Sequence, residues 1–354
     1  MAINKLNGKR KAIDKIDKEI VQLINKRAQF ALEIGKEKEK KGDIAYSPSR
    51  EKEVISRILS LKNVVKDEDL TAIYSEIIGA CRNLETTTKV AFLGPWATFT
   101  HQAAMNKFGS ASIFVPCPVI ADVFDEVEKD RADFGVAPVE NSNEGSVNVT
   151  LDLLVDSQLS ICGEINMKIE QCFLTKEAKS KILRVYSHPQ GLAQCRNWLA
   201  KNYPDIEIID ASSTAEAAKK AAKENYAAAI ASQAAAKIYN LYPLSKGIQD
   251  GSQNFTRFFV IGKTKTKSSS QDKTSLALMI KDKIGALYAL LGIFDKSGVN
   301  LTRIESRPSK KKVWEYIFFI DIEGHITDNK VINAVEKVKK HCVFVKVLGS
   351  YPRA

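Results

Sequence analysis

The sequence predicts three modules in series: an all-α segment over residues 1–87, a two-lobed α/β segment over 88–264 and, after a linker at 265–273, an α+β segment of ferredoxin-like order over 274–354. Three observations carry this. Up to Leu84 the apolar residues recur at helical spacing, and from Lys89 short apolar runs alternate with helical stretches. Residues 263–271, KTKTKSSSQ, are polar and basic with no apolar periodicity. A chain of 354 residues exceeds one ordinary domain, and each segment can bury its own core.

Composition narrows the partners. A net charge of +11 admits nucleic acid, an anionic membrane or anionic metabolites. The lysines are scattered along amphipathic helices among acidic neighbours, without the interleaved aromatics of a single-strand platform, so neither nucleic acid nor membrane is an expected partner. Cys81, Cys117, Cys162, Cys172, Cys195 and Cys342 lie far apart with no metal-ligand spacing, which reads as free thiols of a reducing cytosol and no metal. The N-terminus lacks the apolar stretch of a signal peptide, and no run approaches the roughly 20 apolar residues of a membrane span. A cytoplasmic protein is expected.

In the first segment Ile13, Ile16, Ile20, Leu23, Phe30 and Ile34 mark a helix laid along a partner helix. Arg27 falls on that seam, and Lys38, about 16 Å further along the axis, lies near the same stripe. A cation there must pair with an anion or snorkel out at a bundle end. The loop after Lys41-Gly42-Asp43 reads Ala45-Tyr46-Ser47-Pro48-Ser49-Arg50-Glu51, a Ser N-cap and a first-turn Glu for a second helix running to about Leu61. A third helix spans 67–84. One long and two short helices with so little apolar surface suggest an intertwined dimer.

The central segment alternates strands at 90–93, 113–115 and 134–137 with helices at 99–108 and 120–129. The pattern recurs with strands at 183–186, 206–209 and 227–230 and helices at 189–202, 214–225 and 233–239. Two such halves imply two lobes with a ligand in the cleft between them, at the strand carboxyl ends, and a last strand through Thr256 that returns to the first lobe. Hydroxyls and amides gather where strands turn into helices: Thr98, Thr100, Asn141, Ser142, Ser187, Gln190, Ser213 and Thr214. Taken singly each is an N-cap; several facing one cleft make an anion site suited to two carboxylates. In Gln253-Asn254-Phe255-Thr256-Arg257-Phe258 a hydroxyl and a guanidinium stand side by side where a polar loop enters an apolar strand. Such a pair can give a proton and hold a carboxylate, or can merely open an edge strand.

The last segment alternates strands at 274–280, 299–305, 314–322 and 343–348 with helices at 285–296 and 328–341, the β-α-β-β-α-β order.

The motifs Gly94-Pro95-Trp96-Ala97-Thr98-Phe99-Thr100-His101, Pro138-Val139-Glu140-Asn141-Ser142, Ser187-His188-Pro189-Gln190 and Thr256-Arg257-Phe258, in this order, resemble prephenate dehydratase. That family has a two-lobed domain like the periplasmic binding proteins. Residues 5–86 resemble the all-helical chorismate mutases. Gly285-Ala286-Leu287 with Glu305-Ser306-Arg307-Pro308 resembles the ACT regulatory domains that bind phenylalanine at a dimer interface. The resemblance implies a cofactor-free bifunctional enzyme of phenylalanine biosynthesis, a homodimer inhibited by phenylalanine, that converts chorismate to prephenate and prephenate to phenylpyruvate.

Carried over residue by residue, the mutase site comprises Arg10 of the partner subunit, Arg27, Lys38, Arg50 and Glu51, with Cys81 and Glu85 where relatives carry Ser and Gln, and Ser47 where some carry Asp. In the dehydratase site Thr256 is the implied proton donor, Arg257 its aid and carboxylate grip, Glu140 the runner-up acid and His188 a further candidate. Asn141, Ser142, Gln190 and Asn254 join the caps as binding residues. Ala97 stands where relatives usually carry Gly, a change expected to be tolerated. The implied effector positions are Gly285, Ala286, Leu287, Asn300, Leu301, Glu305, Ser306, Arg307 and Pro308. The competing reading is a non-catalytic sensor, an anion-binding domain with an amino-acid-binding module. Arg27 on a helix seam and Thr256-Arg257 at the cleft favour the enzyme, because a sensor needs neither.

Overall fold

The computed structural model describes residues 2–41, 46–61, 64–178, 181–251, 253–269, 271–281, 283–309 and 315–354. Gly42, Asp43 and Ala45 of the interhelical loop, Ser270 of the linker and Trp314, the expected first residue of a strand, lie outside the described residues.

Three helices open the chain: α1 (Ala2–Lys41), α2 (Pro48–Leu59) and α3 (Asp67–Glu85). Pro48 starts α2 with its fixed φ, and Ser47, at the N-cap position, makes no side-chain cap bond. Asp67, Glu68 and Asp69 put negative charge at the start of α3, where the helix dipole favours it. The stripe Ile13, Ile16, Ile20, Leu23, Phe30 and Ile34 is 47–65% exposed, so the expected seam is uncovered in the single chain.

The central module runs β1 (Lys89–Leu93), α4 (Phe99–Phe108), β2 (Ile113–Cys117), α5 (Ile120–Glu128), β3 (Phe134–Asn141), β4 (Gly145–Ser146), α6 (Asn148–Asp156) and β5 (Ser160–Lys168). It crosses into β6 (Cys172–Thr175), β7 (Arg184–Ser187), α7 (Pro189–Gln194), α8 (Arg196–Asn202), β8 (Glu207–Asp210), α9 (Thr214–Ala221), β9 (Ala227–Ala231), α10 (Gln233–Ile238) and β10 (Tyr242–Lys246), then returns as β11 (Phe255–Gly262). The first lobe orders its strands β2-β1-β3-β11-β5 and the second β10-β6-β9-β7-β8. The expected parallel strands are all present, and β11 does rejoin the first lobe. The antiparallel strands β4, β5, β6 and β10 and the helix α6 were not expected. Gly163-Glu164 interrupts the apolar run of β5, β6 is four residues long and β10 carries Pro243, so none has the pattern of a central strand.

The last module is β12 (Asp272–Ile280), α11 (Ala286–Lys296), β13 (Leu301–Pro308), β14 (Tyr316–Glu323), α12 (Asn329–His341) and β15 (Cys342–Pro352), in the sheet order β13-β14-β12-β15. Its helices cover one face, where Leu276, Leu278, Phe294, Ile320 and Val335 form a core.

The modules share cores. On one face of the first lobe Phe92, Phe108, Phe134 and Phe258 enclose Tyr46 from the helical module, whose ring centroid is 4.7 Å from that of Phe134. On the other face Phe259, Leu151 and Ile161 pack with Ala277, Phe319, Leu348 and Tyr351 of the last module. The two backbones approach closely at Gly349: a Cβ on it would lie 2.8 Å from the backbone N of Ile161. Gly349→Ala should therefore cost about 1–3 kcal/mol in denaturant unfolding, because backbone cannot yield as a side chain would. An unchanged midpoint would show that β15 does not lie against β5 in solution.

Candidate functional site

β11 lies antiparallel between β3 and β5, and the register sets Thr256 opposite Asn141. Asn141 Oδ1 accepts from the backbone N–H of Asn143 at 2.9 Å, which turns its Nδ2 toward Thr256 Oγ1 (2.8 Å) and Asn254 Oδ1 (3.0 Å). The Thr256 hydroxyl thus receives a hydrogen bond from Asn141 and keeps its own proton for another acceptor. Asn254 Nδ2 donates to Gln194 Oε1 (3.1 Å), which also receives Gln171 Nε2 (3.2 Å), linking β11 through the lobe crossing to α7. Ser142 Oγ donates to the carbonyl of Gln253 and accepts from the N–H of Phe255. Gln171 and Gln194 carry no motif in the sequence and were missed.

The remaining cleft residues stand where the strands end. Thr98 caps α4 by accepting from His101 N (3.2 Å), Ser213 caps α9 through Glu216 N (3.0 Å), and His188 Nδ1 accepts from Gln190 N (3.3 Å). That contact gives His188 a structural role. Ser187 is buried and donates to the carbonyl of Ile230, and Thr100 is buried in the first turn of α4. The starts of α7 and α9 touch, since a Cβ on Gly191 would meet Ser187 Oγ and, at 3.5 Å, Thr214 Cγ2.

Ala97 holds a left-handed φ of 72°. Its N–H donates to His101 Nδ1 (3.3 Å) and its carbonyl accepts from Ser232 Oγ of the second lobe (3.0 Å), so one residue ties the two lobes. His101 is packed among Phe92, Trp96 and Phe114, and burial pushes its pKa down to about 4, which keeps Nδ1 available as an acceptor.

Arg257 and Glu140 depart from expectation. Successive strand residues point to opposite faces, and both side chains leave the cleft for the last module. Arg257 binds Glu164 (2.8 Å), Asp321 (2.5 Å) and Tyr351 (3.0 Å), and Glu140 pairs with Arg303 at 2.9 Å. With its donors spent there, Arg257 does not grip a ligand in the cleft, and Glu140 is not poised as its acid.

At the helical module a cavity of about 570 Å³ is lined by Leu32, Gly35 and Lys38 of α1, Leu84 and Glu85 of α3, and Phe134, Lys263 and Thr264 of the first lobe. Glu85 lies against Gly35, where a Cβ would be 2.7 Å from its Cγ. Its buried Oε2 has no hydrogen-bond partner among the described residues. Burial raises its pKa, against the pull of Lys38, Arg82 and Arg27. The structure thus joins Lys38 and Glu85. It does not bring Arg50, which pairs with Glu53 at 2.8 Å, or Arg10, about 26 Å along α1 from Arg27, to them. Glu51 is ion-paired with Arg82 of α3 inside the helical module, and Arg82 Nη2 reaches across the module boundary to the carbonyl of Phe108 (2.6 Å), so the Glu51 carboxylate is engaged by a structural partner. Cys81 is buried and Arg27 is half-buried.

In the last module Gly285, with φ 76°, caps α11. β12 and β13 both pair antiparallel with β14, so they run parallel and end at the same end of the sheet. Ser306 and Pro308 are exposed, as is Asn300, while Ala286 is buried and Leu287 and Leu301 are half-buried. Glu305 and Arg307 depart from expectation. Arg307 turns toward the first lobe and pairs with Asp152 there (2.8 Å), while Glu305, on the same face of β13, pairs with its own strand's Arg303 (3.7 Å).

Residues 90–266 match the family model of prephenate dehydratase, residues 9–86 that of chorismate mutase type II and residues 274–340 that of the ACT domain. The chain is similar to the bifunctional chorismate mutase/prephenate dehydratase of Aquifex aeolicus, 48% identical over 358 residues that cover 99% of both. It is 46% identical to that of Neisseria gonorrhoeae over 98% of this chain and 96% of the relative. Among solved structures, the prephenate dehydratase of Arthrobacter aurescens in complex with L-Phe superposes with a TM-score of 0.69 at 33% identity, over 75% of this chain and 90% of that one. The chain belongs to the family of bifunctional chorismate mutase/prephenate dehydratases.

Proposed function

We propose that Thr256 is the proton donor of the dehydratase, that Lys38 and Glu85 serve the mutase, and that the chain acts as a cytoplasmic homodimer inhibited by phenylalanine. The observation that carries the first assignment is the hydrogen bond from Asn141 Nδ2 to Thr256 Oγ1, which leaves the threonine proton free to face the cleft. As the ring hydroxyl of prephenate leaves, Thr256 passes its proton along the hydrogen bond and water departs. The bond to the ring carboxylate breaks, its electron pair completes the aromatic ring, and carbon dioxide is released. Asn141 steadies the oxygen of Thr256 as charge builds there, and solvent returns the proton. The six cysteines are free and buried, which suits a reducing compartment.

The rearrangement of chorismate is unimolecular and needs no nucleophile, only a pocket that holds the reactive conformer and stabilises charge on the breaking ether oxygen. Arg10 lies about 42 Å from Lys38 along α1, too far to share its pocket within one chain, which supports supply by the partner subunit. The uncovered stripe of α1 offers the surface for that pairing.

Thr256→Val keeps shape and removes the hydroxyl, so dehydratase turnover should fall about 100-fold or more while mutase activity persists. A variant retaining half its dehydratase rate would remove Thr256 from the chemistry.

A carboxyl donates to the ether oxygen only when protonated. Because burial raises the Glu85 pKa, its acid form persists to higher pH than that of a free glutamate and is lost as pH climbs through the raised value. Mutase activity should decline toward pH 8, and Glu85→Gln should flatten the decline and raise the neutral rate. A parent profile that is flat or rising from pH 5 to 8 rules out Glu85 as the donor.

For the effector, removing residues after Gln271 would strip Ala277, Phe319, Leu348 and Tyr351 from the first lobe, so a point change is the cleaner test. Gly285→Val places bulk at the start of α11 and should weaken phenylalanine inhibition about 10-fold or more. Undiminished inhibition would locate the effector elsewhere.

A further inference from the structure

Thr256 and Arg257 are neighbours on β11, yet they serve opposite faces of the sheet. Thr256, half-buried, stands across from Met167, whose side chain lies in the core with Phe258, while the Arg257 guanidinium lies 4.8 Å from the ring of Phe259 on the face covered by the ACT domain. There its Nε donates to Glu164 Oε2 (2.8 Å), Nη1 to Asp321 Oδ2 (2.5 Å) and Nη2 to Tyr351 Oη (3.0 Å). Asp321 and Tyr351 belong to the ACT domain. So does Lys273, whose Nζ donates to Glu164 Oε1 at 2.9 Å. Ser275 closes the cluster, donating to Asp321 Oδ1 (2.5 Å) and sharing a hydrogen bond with Tyr351 Oη (2.6 Å). Glu164, Asp321, Lys273 and Tyr351 are each no more than 9% exposed.

The cluster balances two cations against two carboxylates and spans two domains. Its place on β11 matters most. Arg257 adjoins Thr256, and Glu140, opposite Arg257 in the ladder, adjoins Asn141. Glu140 is also held from the ACT domain, by Arg303 Nε at 2.9 Å. Both members of the Asn141–Thr256 hydrogen bond therefore have a next-door residue gripped by the ACT sheet. A shift of β13 or β14 cannot leave both grips intact without moving the ends of β3 and β11.

We propose that Arg257 and Glu140 are positioning residues through which the ACT domain sets the geometry of Asn141 and Thr256, so that phenylalanine acts on the dehydratase by displacing Asp321, Tyr351 and Arg303. The effector reading above is assumed. A cluster that only holds the domains together would leave the response to phenylalanine unchanged in any variant that still folds.

The test uses the full-length protein and separates binding from inhibition. Phenylalanine affinity is measured by calorimetry without substrate, and the half-inhibiting concentration is measured in the dehydratase assay, with mutase rate and circular dichroism as controls of folding. Asp321→Asn and Arg303→Met should each raise the half-inhibiting concentration about 10-fold or more while affinity changes by less than about 3-fold. Tyr351→Phe removes one oxygen and should give a smaller shift of the same sign, of about 3-fold, which covers the case in which the larger changes do not fold. Half-inhibiting concentrations equal to the parent's, or moving in parallel with affinity, would overturn the link alone. A parent that binds no phenylalanine would sink the effector reading and this proposal with it.

Discussion

β11 can enter its sheet only after the chain has built the entire second lobe, and its antiparallel ladders to β3 and β5 are what return the chain to the first. That constraint fixes both hinge crossings at once. The backbone of Asn254, just before β11, accepts from Ile169 N (2.8 Å), just after β5, so the two crossings run side by side. Asn254, Gln194 and Gln171 join them to α7 by side-chain amides. A ligand that bridges the lobes therefore works against a hinge whose two strands are bonded to each other.

The same strand joins Thr256 to the ACT domain at the cost of buried charge. Two cations and two carboxylates withdrawn from water cost more than they return unless every proton and lone pair is used. Here Ser275 donates to Asp321 Oδ1 and the backbone N of Ala354 to Glu164 Oε1, while Tyr351 accepts from Arg257 Nη2. Removing one partner would leave an uncompensated charge, typically about 3–5 kcal/mol. An apolar interface of equal area would hold the domains as firmly without that exposure to loss. What the ion cluster adds is a fixed register between β11 and the ACT sheet, since fork-like guanidinium bonds tolerate little sliding.

The helical module depends on its neighbours in a different way. Tyr46 fills the aromatic core under α4, and Arg82 is held by Glu51 and by the carbonyl of Phe108 with its guanidinium 5.2 Å from the Tyr46 ring. These contacts anchor the C-terminal part of α1 and the ends of α2 and α3, while the apolar stripe of α1 is left uncovered. Among the described residues nothing covers that apolar face of the 40-residue helix fully, and its stripe stays about half exposed.

Much of this was legible because the cleft residues announce themselves by type. Hydroxyls and amides at strand ends are N-caps when taken singly, as Thr98 and Ser213 are, but Thr256, Asn141 and Asn254 converge as a cluster does. Arg257 shows where that reasoning stops. Strand alternation alone puts it on the face opposite Thr256, but sequence does not say what covers that face. The covering partners, Asp321 and Tyr351, lie in a segment that reads as an independent domain, and Glu164 sits in the strand whose Gly163-Glu164 pair hid it from view. An acidic residue inside an apolar run, like a cation on a helix seam, is a residue whose partner lies elsewhere in the chain. Glu164 and Arg257 are two such misfits, and each is explained only by the other and by Lys273 and Asp321 across the boundary. Arg257 and Glu164 pair within the first lobe, and Asp321 and Lys273 of the last module complete the cluster, so the ion pairs of that buried group are complete only when both modules are counted together.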